Sequence, residues 1–103
     1  MKKLVLASFL FVPSILHADI IQISTVPSEW KLENYLNSNI VAWYAGSTCT
    51  NGRISFSGSA SEEDKKIFWS TVMAAKISRQ KVFVRYEDSS STCAIVSYGL
   101  PQD

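Results

Sequence analysis

The chain predicts a small mainly-β domain with one helix, ordered β-β-β-α-β-β and stapled by a single disulfide. Three observations lead there: several short segments alternate apolar and polar residues, one segment between Ser61 and Ser78 carries a helical stripe, and Cys49 and Cys93 are the only cysteines.

Residues 1–18 stand apart from this domain and read as a cleavable signal peptide. Lys2 and Lys3 supply a positive start, Leu4 to Val12 is an unbroken run of apolar and small residues, and Leu16-His17-Ala18 ends on a small residue. The apolar run is about half the roughly 20 residues that cross a bilayer, so no transmembrane segment is expected after cleavage. The single domain is expected to span 19–103 and to be exported, to the periplasm or beyond the cell.

Ile20 to Val26 is rich in Ile and Thr and predicts a first strand ended by Pro27. Ser28 to Ser38 is mixed and polar, and reads as a short helix or an irregular connection. Ile40 to Ala45 has the β-branched and aromatic density of a second strand. Asn51-Gly52 is the strongest turn signal in the chain, and Arg53 to Ser57 then alternates as a half-buried third strand.

Ser61 opens the helix as its cap, with Glu62, Glu63 and Asp64 suiting the positive end of the helix dipole. Phe68, Val72 and Ala75 fall on one stripe, with Ile67, Thr71 and Ala74 beside it. Lys81 to Tyr86 sets Val82, Val84 and Tyr86 against Lys81, Phe83 and Arg85, a fourth strand. Glu87 to Thr92 is a Ser-rich loop, and Cys93 to Tyr98 a fifth strand ended by Gly99 and Pro101. A helix between the third and fourth of five strands is the order of an OB-like five-stranded barrel.

Composition narrows the function. Cleavage after residue 18 removes Lys2 and Lys3 from the ten Lys and Arg, leaving eight against nine acids, so nucleic acid is a poor partner for so neutral a chain. The only histidine, His17, leaves with the signal, which excludes Ser-His-Asp and Cys-His catalysis and histidine-based zinc sites. No metal and no cofactor is expected. In an oxidising compartment Cys49 and Cys93 have one possible pairing, and closing a loop of that length stabilises by roughly 4 kcal/mol. The clustered acids have a structural role at the start of the helix, and the chain reads as a non-enzyme.

The positive feature is aromatic content. Strand alternation prevents Trp43 and Tyr44 from both pointing inward, and likewise Phe83 and its neighbours Val82 and Val84, while Trp69 lies about 100° around the helix from Phe68. Tyr44, Trp69 and Phe83, with Arg85, are therefore the candidate ligand-binding residues, suited to stacking on a sugar ring or to seeding a homo-oligomer.

The turn Cys-Thr-Asn-Gly-Arg-Ile-Ser-Phe, the helix ending Ala-Ala-Lys, the strand Lys-Val-Phe-Val-Arg-Tyr and the late Cys-Ala-Ile-Val-Ser resemble a group of small exported bacterial proteins of uncharacterised function, over about Trp43 to Leu100. More distantly the layout is similar to the B subunits of AB5 toxins such as subtilase cytotoxin. That resemblance implies a disulfide-bonded OB-fold, pentameric assembly and glycan binding, and transfers no binding residue to this chain. The expected function is an exported binding module, with a glycan or another exported protein as partner. The alternative is a monomeric periplasmic inhibitor or accessory protein that binds another protein.

Overall fold

The computed structural model of the chain describes residues 19–89 and 92–102; the expected signal peptide, and the Ser90-Ser91 part of the Ser-rich loop, lie outside the described residues. The chain folds as β1 (Asp19–Thr25), a 3-10 turn (Pro27–Glu29), β2 (Lys31–Asn34), β3 (Ile40–Trp43), a second 3-10 turn (Thr50–Gly52), β4 (Arg53–Phe56), α1 (Glu62–Ser78), β5 (Val82–Asp88) and β6 (Cys93–Gly99). It is mainly β with one α-helix, as the alternation predicts.

All six strands form one sheet in the order β1-β5-β6-β4-β3-β2. Neighbours are antiparallel except β4 and β6, which run parallel through Ser55 with Ala94 and Phe56 with Ile95. A parallel pair needs a crossover, and α1 with β5 supplies it.

Two features differ from expectation. The segment read as a short helix or irregular connection contains β2: Lys-Leu-Glu-Asn has no β-branched residue, and its extended form comes from antiparallel pairing with Ile40–Trp43. The sheet has six strands where five were predicted, and it is open, with no ladder joining β1 to β2 among the described residues. Those end strands are nonetheless consecutive in the chain, parted only by Val26–Trp30. Pro27 causes the interruption, since it has no N–H for a ladder and is fully buried at the first position of the 3-10 turn.

The helix is capped as its sequence suggests, with the Asp64 N–H donating to Ser61 Oγ at 3.0 Å. It ends at Arg79, whose φ of 61° is left-handed and whose N–H donates to Ala75 O. Phe68, Val72 and Ala75 are buried. The neighbouring row is shallower than the sequence stripe implies: Ala74 is exposed and Ile67 is 47% exposed, because the helix lies on the sheet along one narrow line.

Val82, Val84 and Tyr86 of β5 are buried opposite the helix with Ile54 and Ala42. Phe56, Phe68 and Tyr98 pack edge to face, with ring centroids 5.1 to 6.4 Å apart, and join helix, β4 and β6. The Cys49–Cys93 disulfide is formed and buried, tying the β3–β4 loop to the start of β6.

Candidate functional site

Alternation along β3 decides which of two adjacent aromatics faces outward. Ile40 and Ala42 belong to the core cluster, so Tyr44, two residues on, packs against that cluster with its ring centroid 5.4 Å from that of Trp30. Trp43 takes the opposite face and is half-buried. Cross-strand register places Lys31 of β2 and Arg53 of β4 directly beside it. The Lys31 ammonium stands 5.4 Å and the Arg53 guanidinium 5.9 Å from the indole centroid, both within cation–π reach. The indole N–H donates to Glu33 Oε1 at 2.9 Å, which fixes the ring's rotation.

Beside this ring lies a cleft of about 170 Å³, lined by Trp43, Thr48, Thr50, Asn51, Arg53, Asp88, Thr92 and Cys93. Its walls are held by local chemistry. Asn51 and Gly52 have φ of 57° and 75°, turning the chain back into β4. A side chain at Gly52 would put its Cβ 2.6 Å from the Tyr44 carbonyl oxygen, so only glycine fits. Thr48 donates from Oγ1 to Asp88 Oδ2 at 2.6 Å and receives company from the Tyr86 hydroxyl at 3.0 Å, while its N–H donates to that hydroxyl at 3.1 Å. The disulfide clamps the same loop to β6. The cleft thus presents threonine hydroxyls, an amide, a carboxylate and the donor fork of Arg53 around an aromatic wall.

The four residues named from the sequence do not share one site. Phe83 and Arg85 sit together on the outer side of β5, the guanidinium 5.4 Å from the ring centroid and its Nε donating to Gln22 Oε1 at 2.9 Å. The Phe83 ring lies over its cross-strand partner Gly99, where a Cβ would come within 3.1 Å of it. Trp69 is half-buried in a different groove, with Asn34, Ser38, Ile40, Lys65, Lys66 and Ser70. Tyr44 packs inward, while Trp43, Arg53, Thr48 and Asp88 form the cleft that the named set leaves out. The spacing alone does not single out Trp43, because Ile40 to Ala45 is apolar throughout and Val41, on the same row as Trp43, is itself fully buried. Glu87 and Asp88, expected in the Ser-rich loop, are instead the last two residues of β5.

No family model, curated protein or solved structure matches this chain.

Proposed function

We propose that the chain is an exported, non-enzymatic binding module on an OB-type framework, with a glycan as the ligand of the Trp43 cleft. The strand order supports the framework. If β1 and β2 are two halves of one strand broken at Pro27, the sheet has five strands, its ends are halves of the same strand, and its helix lies between the third and fourth. An OB-fold is a partly open barrel of this kind, and it uses the face of its second and third strands for binding. Here those strands are β3 and β4, which carry Trp43 and Arg53.

The observation that carries the ligand class is the pairing of Trp43 with a cleft of hydroxyl, amide and guanidinium groups. A sugar ring has apolar C–H faces and a rim of hydroxyls, so it needs an aromatic surface next to donors and acceptors of both kinds. Export follows from the positive, apolar and small-residue layout of residues 1–18, and a homo-oligomer would multiply weak single-site contacts.

A glycan array probed with the oxidised protein tests the reading. Selective binding that Trp43→Ala and Arg53→Ala each abolish supports it, provided both variants keep the wild-type circular dichroism. Binding unchanged in both variants, or none on the array, overturns the assignment. Light scattering over a concentration series tests assembly: a stable oligomer supports the multivalent form, and a persistent monomer that ignores glycans points instead to an inhibitor of another exported protein.

A further inference from the structure

At the end of the β2–β3 ladder opposite Lys31 and Trp43, α1 presents Lys65, Lys66, Trp69 and Ser70 to a groove of about 400 Å³ whose other wall is Asn34, Ser38 and Ile40. Lys65 with Trp69 and Lys66 with Ser70 are i, i+4 pairs, so the two rows share one helix face. Both lysines follow directly on the acidic first turn Glu62-Glu63-Asp64, and among the residues that line the groove they are the only charged ones.

These cations lack their ordinary partner. Glu62 stands four residues before Lys66, the spacing at which an acid normally pairs with a lysine, yet its Oε1 accepts a hydrogen bond from Ser38 Oγ instead. Among the described residues the single salt bridge is Lys31 with Glu33, so Lys65, half-buried, and Lys66 both have no carboxylate at ion-pair distance.

The opposite wall is preformed. Leu36, Asn37 and Ser38 have φ of 77°, 55° and 60°, three successive left-handed residues without a glycine. Such backbone is sterically disfavoured and persists only where its surroundings hold it. The Leu36 N–H donates to Asn34 Oδ1 at 2.8 Å, the Tyr35 N–H to Asn39 O at 3.0 Å, and Ser38 is tied to the helix through Glu62.

We propose that this groove is a second binding site, and that it takes a phosphorylated sugar ring. Two ammonium groups act as point charges suited to phosphate, whereas a carboxylate is matched better by the fork of an arginine. The Trp69 indole offers the apolar surface for the ring, and Asn34, Ser38 and Ser70 offer polar groups for its hydroxyls.

The test is a titration of the oxidised protein with glucose 1-phosphate, glucose and inorganic phosphate, each to about 10 mM, followed through the indole and backbone N–H resonances. Glucose 1-phosphate is expected to move the Trp69 indole and the amides of Lys65 to Ser70, with binding that weakens as salt rises. Glucose and inorganic phosphate are each expected to bind at least about tenfold more weakly, and K65Q/K66Q to weaken the ester by about tenfold or more. The Trp43 indole stays in place in K65Q/K66Q, reporting an intact fold, and W43A leaves the titration unchanged, separating this site from the cleft. A Trp69 indole that does not move, an effect indifferent to K65Q/K66Q, or equal binding of inorganic phosphate overturns the proposal. Phosphatidylcholine vesicles carrying monophosphoryl lipid A identify the source. Cosedimentation lost in K65Q/K66Q assigns a lipid-borne ring, and an indole shift without cosedimentation assigns a free sugar phosphate.

Discussion

The Lys76 ammonium donates to the Pro27 carbonyl at 3.2 Å, and also to Ser28 O at 3.3 Å and Trp30 O at 2.9 Å. One side chain from the last turns of α1 therefore satisfies three carbonyls of the turn that interrupts the sheet, a turn in which Pro27 can offer no N–H of its own. Lys76→Met keeps most of the apolar stem and removes all three charge-assisted bonds. The expected loss is about 1–3 kcal/mol, read as a lower urea midpoint with an unchanged slope. Wild-type stability in this variant would show that the three contacts contribute nothing.

Cys49 and Cys93 close a loop of 44 residues between two buried positions. Cys49→Ala with Cys93→Ala is expected to lower stability by about 4 kcal/mol, comparable to the whole stability of a domain this small. Chemical denaturation of the double variant beside the oxidised parent measures it.

Ser97 Oγ is buried and has no hydrogen-bond partner among the described residues. A hydroxyl in that position has lost water without recovering a bond, so Ser97→Ala is expected to be neutral or stabilising by up to about 1 kcal/mol. A clear loss of stability on thermal unfolding would mean that the hydroxyl does have a partner.

Tyr98 donates its hydroxyl to Asp64 O at 2.9 Å. Burial, then the nearby Asp64 charge, raise its pKa above the ordinary 10.0. A raised value in the folded state means that the neutral phenol favours folding. Its contribution is complete below about pH 10 and is lost as pH climbs through the raised value. Tyr98→Phe is expected to be less stable at neutral pH yet to show a shallower decline of stability between neutral and strongly alkaline solution. Parallel slopes for the two proteins would refute this.

Much of the framework was legible because it depends on near neighbours. The α1 cap needed only Ser61 and Asp64, the buried row of β5 needed only Val82, Val84 and Tyr86, and the Asn51-Gly52 turn announced itself by residue type. What escaped was set by distant segments. Lys31–Asn34 is a strand because β3 pairs with it, and no periodicity within four residues could reveal that. The Trp43 site needs Lys31 and Arg53, which flank it only through register across two ladders. Trp69 was identifiable as marginal to the helix stripe, but the wall facing it comes from the turn after β2, a strand that the local pattern did not disclose.

The parallel pairing of β4 with β6 has a kinetic side. Ser55 and Ala94 can meet only after the chain has traversed the helix and β5, and contacts so remote in sequence are slow to find one another. The Cys49–Cys93 bond spans the same junction, a few residues from that pair. Once oxidised, it shortens the conformational search for that parallel pair. Refolding of the oxidised chain should therefore outpace that of the reduced one, and the bond would act as a guide to assembly as well as a restraint on the finished sheet.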